Sequence, residues 1–129
     1  MNVVKINIML FHQLEIYKDI FDMSKILHKH INKMPRYYKY DSGDEIRKLL
    51  RQIRYSVYLI NSHSDKDKFE LICHLLDKLV LLKIIIDELI EDKIFLFDGK
   101  GNIINIIILL TKITKQATKW KNYMKKYKA

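Results

Sequence analysis

Proline and glycine are nearly absent. One proline and three glycines in 129 residues are too few for a β protein, which spends them at its many turns. A solitary cysteine, Cys73, closes no internal disulfide, so nothing in the chain asks for an oxidising compartment. Long apolar runs are missing too. The longest uncharged stretch, Gly101 to Thr111, is about half of the ~20 residues that a bilayer core requires. The opening residues, MNVVKINIMLFHQLE, lack the long apolar core and small-residue cleavage site of a secretion signal. These absences point to a soluble, cytoplasmic chain with no membrane association and with few, long helices.

What is present fits that outline. Apolar residues make up 49% of the chain, which excludes disorder, and the length suits a single domain over residues 1–129. The formal net charge of +9 favours acidic partners such as nucleic acid, an anionic membrane surface or an acidic protein. The charge is unevenly spread. Residues 1–34 carry +2, 35–64 carry +3, 65–98 carry −4 and 99–129 carry +8. One acidic segment among three basic ones implies complementary packing, within the fold or between subunits.

The most informative stretch is KMPRYYKYDSGDEIRKLLRQIRYSVYLINS, residues 33–62. Ile46, Leu49, Leu50, Ile53, Val57 and Ile60 recur at steps of 3 and 4, which draws one apolar stripe on a helix over about 44–61. Arg47, Arg51, Arg54 and Tyr58 fall at the same spacing on another face. A row of planar, permanently charged guanidinium groups suits phosphate or carboxylate. Ser42-Gly43-Asp44-Glu45 has the form of a capping box at the helix start. Residues 35–43 read as a connector with Tyr37, Tyr38 and Tyr40 between Arg36 and Lys39.

Three more helices follow from periodicity. The first spans about 4–34, with Ile6, Leu10, Leu14, Tyr17, Ile20, Phe21, Leu27, Ile31 and Met34 on its apolar face, and Pro35 ends it. The third spans about 65–93, after a second cap signal at Ser64-Asp65-Lys66-Asp67. Its core-like residues are Phe69, Ile72, Leu75, Leu76, Leu79, Leu82, Ile86, Leu89 and Ile90, and Val80, Leu81, Ile84 and Ile85 add a second apolar face. A turn at Asp98-Gly99-Lys100-Gly101-Asn102 precedes the last helix, about 103–127. That helix begins apolar all round (IINIIILL) and ends amphipathic, with Ile113, Ala117, Trp120 and Met124 against Lys112, Lys115, Lys119 and Lys126. Short loops make neighbours antiparallel, so the reading is an all-α, up-down four-helix bundle. Its surplus apolar faces ask for a partner subunit.

No constellation supports catalysis. His28 and His30 are two residues apart and diverge on a helix. Glu70, His74 and Asp77 share a face, but such trios are common on solvated surfaces and no second copy appears. Cys73 and His74 are helix neighbours that diverge by about 100°. The expectation is a non-enzyme with no cofactor and no metal. The candidate nucleic-acid or partner-binding residues are Arg36, Lys39, Arg47, Arg51, Arg54, Lys112, Lys115 and Lys119.

The chain resembles the accessory variability determinant proteins of diversity-generating retroelements. The resemblance rests on Lys33-Met34-Pro35-Arg36 closing a long helix, and on the aromatic-basic connector Tyr37 to Gly43 followed by Glu45-Ile46-Arg47. It rests also on Leu81-Leu82-Lys83 and on Lys119-Trp120-Lys121 in a basic C-terminal helix. These motifs run over about residues 15–126. Related helix-bundle proteins encoded within large-subunit ribosomal RNA genes share the layout, and that branch stays open. The resemblance implies a ring-shaped homopentamer of four-helix bundles with a basic surface. Such a protein binds RNA or DNA and the element's reverse transcriptase, and assists mutagenic copying without catalysing it. The chain departs from the pattern at Lys83, where arginine is common, and at Ala117-Thr118-Lys119, where small residues usually precede the tryptophan.

Overall fold

The computed structural model describes residues 3–96 and 102–127, with side chains from Glu15 in the first stretch and from Ile103 in the second. Among the described residues every regular element is helical. The chain forms α1 (Val3–Asn32), a short α2 (Arg36–Tyr40), α3 (Ser42–Ser62), α4 (Asp65–Glu91) and α5 (Asn102–Met124), then a single 3-10 turn, Lys125–Tyr127. The expected turn residues 98–101, and the side chains of the expected core positions Ile6, Leu10 and Leu14, lie outside what is described.

Four long helices form a bundle with one continuous apolar core. Helix α3 packs on α4, α4 on α5, α5 on α1 and α1 on α3. In that cycle α3 and α5 stand diagonally across from each other. All six apolar residues expected on α3 are buried: Ile46, Leu49, Leu50, Ile53, Val57 and Ile60. The same holds for Ile113, Ala117, Trp120 and Met124 on α5.

Periodicity misplaces some positions. Tyr17 and Phe21 are 49% and 43% exposed, whereas Ile16 and Met23 fill the core beside Ile20, Leu27 and Ile31. A tyrosine hydroxyl and a bulky ring sit at the edge of the stripe more readily than at its centre. Ile85 also goes inward, so the second apolar face of α4 is Val80, Leu81 and Ile84 without it. Phe69, Leu76 and Ile90 are half-buried at the margin.

The connections differ in detail from the sequence reading. The connector after Pro35 is itself helical, with the Lys39 amide donating to the Pro35 carbonyl at 2.9 Å. Proline's fixed φ suits the residue just before a helix. The capping box at Ser42 does not form. Asp41 precedes the helix without a side-chain cap, and the Glu45 amide donates to the Asp41 carbonyl at 3.1 Å. Ser64 does stand at the cap of α4, yet its hydroxyl donates to the Asp67 carboxylate at 3.2 Å rather than accepting from the backbone.

Gly43 lets α3 lie close against Ile31 of α1. A Cβ there would sit 2.9 Å from Ile31 Cγ2 and 3.4 Å from the Tyr38 carbonyl oxygen. Ile31 is β-branched and wholly buried, so it cannot swing aside cheaply. Overpacking costs about 1–3 kcal/mol, and removing a helical glycine returns less than about 1 kcal/mol. Gly43→Ala is therefore expected to lower unfolding free energy by about 1 kcal/mol, read from denaturant midpoints. A raised midpoint would show that the contact relaxes.

Candidate nucleic-acid interface

The core stripe of α3 leaves its opposite side to solvent, and the 3,4 spacing collects Arg47, Arg51, Arg54, Tyr55 and Tyr58 there. Arg47 is the most constrained. Its guanidinium donates to Asp44 Oδ1 at 3.1 Å and, across to α1, to Asn32 Oδ1 at 3.1 Å. Arg51 is exposed and Arg54 half-buried, and no ion pair among the described residues involves either. They are the two cations of the strip left to meet an outside anion.

His28 of α1 reports the field these groups make. Its pKa lies below the ordinary 6.5, first because partial burial disfavours the charged ring, then because Arg47, Arg54 and Arg51 repel it. A pKa depressed on folding means that the unfolded chain takes up the proton first. The neutral-ring preference of the fold therefore costs nothing above pH 6.5 and lowers stability as pH falls from 6.5 through the folded value. Arg54→Ala is expected to move the His28 titration, followed by NMR, back up towards 6.5. An unchanged curve would show that Arg54 contributes nothing to it.

The two tyrosines are the residues that sequence reasoning underused. Tyr55 and Tyr58 are 60% and 64% exposed, with ring centroids 6.3 Å apart and planes 19° from parallel. The signal for Tyr55 was its position four residues after Arg51, on the same face. By contrast, Tyr38 of the connector packs against the core and meets Tyr37 edge-on at 5.4 Å. Tyr37 and Tyr40 are exposed, and the Arg36 guanidinium lies 5.9 Å over the Tyr40 ring. Helix α2 packs on α3, with Arg36 exposed and Lys39 half-buried.

The α5 lysines belong elsewhere. Lys112 pairs with Asp19 at 3.2 Å and Glu15 at 3.7 Å on α1. Its pKa is raised, chiefly by the Asp19 hydrogen bond and charge. Gln116 Nε2 also donates to Asp19 Oδ2, at 2.7 Å, so Lys112 is committed to holding α5 on α1. Lys115 and Lys119 are exposed on the outward side of α5. Because α5 stands diagonally from α3, these lysines do not join the arginine strip. Of the eight expected residues, Arg47, Arg51 and Arg54 thus lie on α3, Arg36 and Lys39 on the adjoining α2, and Lys112, Lys115 and Lys119 on α5.

Glu70, His74 and Asp77 are all exposed, and among the described residues no three His, Cys, Asp or Glu side chains converge on one point. No described helix is long and apolar enough to cross a membrane. Set against known proteins, the chain matches no family model, no curated protein and no solved structure.

Proposed function

We propose that this chain is a non-catalytic accessory protein of a diversity-generating retroelement, which binds RNA or DNA through its arginine surface and binds the element's reverse transcriptase to support mutagenic copying. The observation that carries the nucleic-acid part is the row of Arg47, Arg51 and Arg54 along one side of α3, in which Arg51 and Arg54 have no ion pair among the described residues. Guanidinium groups without internal partners bind phosphate oxygens with charge-assisted hydrogen bonds. The retroelement part rests on the motif resemblance.

In this reading the four helices run antiparallel and the bundle is one subunit of a ring-shaped homo-oligomer, a pentamer. Support comes from α4, whose Val80, Leu81 and Ile84 are 54%, 43% and 48% exposed, with exposed Asp77 and Glu88 around them and Asp87 paired to Lys83 at 3.4 Å. Ile104 and Ile108 of α5 are 45% and 57% exposed, with exposed Lys115 further along the same side. An apolar strip with an acidic rim and another with a basic neighbour are complementary halves of a head-to-tail contact, the kind that closes into rings.

The second reading is a helical-bundle interaction scaffold, or a ribosomal-RNA intervening-sequence bundle protein, with no retroelement role. The exposed apolar side of α4 favours it, since such strips mark protein contacts of any kind. Size-exclusion chromatography with a retroelement reverse transcriptase and its template RNA separates the two. Co-elution of all three supports the accessory role; an enzyme that elutes alone while the protein retains RNA leaves the scaffold reading.

A further inference from the structure

We infer that the outward strip of α3 is a base-stacking platform, with Tyr55 and Tyr58 as its ring faces, and that it selects single-stranded nucleic acid over duplex. This rests on the nucleic-acid reading above and adds the class of strand. Phosphate contacts from Arg51 and Arg54 carry no such preference, because both forms offer phosphates. The rings do. In a duplex each base has both faces covered by its neighbours, whereas a single strand can splay its bases onto aromatic side chains.

The placement is suited to alternating contacts. Tyr55 follows Arg51 and Tyr58 follows Arg54 by four residues, so each ring lies one turn, about 6 Å along the axis, from a guanidinium. One turn is the reach of a single nucleotide, phosphate to base. Both rings are mostly exposed and nearly parallel, at 60% and 64% and 19°, so neither is spent on the core. Helix α1 continues the surface. Arg47 donates to Asn32 Oδ1 of α1 at 3.1 Å across the two helices. On the face of α1 that carries Asn32, the 3,4 spacing leads back through His28 and Lys25 to Phe21, which is 43% exposed with the Lys25 ammonium 4.3 Å over its ring. That face of α1 therefore offers a further exposed ring and cation.

The test uses three labelled probes of about 20 nucleotides, longer than a typical ~4–16-nucleotide single-strand site: a thymidine strand, an abasic strand of the same phosphate count and a duplex. The unmutated protein should prefer the thymidine strand. Tyr55→Ala with Tyr58→Ala should lower its affinity for that strand about tenfold or more and leave abasic and duplex binding within about twofold. Phenylalanine at both positions should restore the preference. Ring-proton NMR shifts of Tyr55 and Tyr58 in the unmutated protein, moved by the thymidine strand and not by the abasic one, give the same answer without a variant. Equal affinity for all three probes, or an alanine variant with unchanged thymidine binding, would overturn the platform and leave the rings as a protein contact. Failure of the unmutated protein to bind any probe would instead overturn the nucleic-acid reading beneath it.

Discussion

Replacing Arg51 and Arg54 together by glutamate should weaken RNA and DNA binding by about a hundredfold at moderate salt, with the helical content intact. The two side chains are the guanidinium groups of α3 with no ion-pair partner among the described residues, so their loss leaves no carboxylate unpaired. Each neutralised phosphate releases condensed counterions, and removing two such contacts should flatten the log–log salt dependence by about one to two units. Two new carboxylates add repulsion on top. Arg47 is deliberately excluded, because a glutamate there would face Asp44 and lose the bond to Asn32, mixing stability with binding. Filter binding and circular dichroism on the same samples check both halves of the prediction. Unchanged affinity would move the site to the α5 lysines.

The second large effect concerns assembly. Leu81→Asp with Ile84→Asp should convert the proposed pentamer to a monomer, so that the native mass by light scattering falls from about 78 kDa (five times 15.6 kDa) to about 15.6 kDa. Both side chains are nearly half exposed in the single chain, so carboxylates there meet water and the bundle itself should stay folded. In a subunit contact the same carboxylates would be buried beside Asp77 and Glu88 without partners, at a cost of several kcal/mol per contact. That cost recurs at every contact around a ring. A variant of unchanged mass would remove α4 from the contact, and a monomeric unmutated protein would remove the ring.

How legible this molecule was depends on which physics set each feature. Helix identity and the α3 core stripe were readable because a single 3,4 apolar period decides both, from Ile46 to Ile60. Tyr17 and Phe21 were misread because periodicity marks a face but not which of its residues reach the centre; Ile16 and Met23 took those places. The cap expected at Ser42 fails because the helix already includes Ser42 and puts Asp41 at the cap position, a shift of one residue that composition does not encode. The arginine strip was visible as a pattern, and its neighbour His28 was not, since that contact joins helices far apart in the chain. The same limit applied to Lys112, which looked like a member of the basic surface and instead holds Asp19 and Glu15. Only the packing order, which puts α5 across the bundle from α3, separates the two sets of cations.

The central claim is that a basic surface of this bundle binds nucleic-acid phosphates, and the most direct measurement is the affinity of the purified protein for a labelled single-stranded RNA over a range of salt. The account predicts binding that falls with a log–log slope of about −2 or steeper, as expected when about three or more phosphates are neutralised on a single strand. Affinity that does not change with salt, or no binding at low salt, would contradict it.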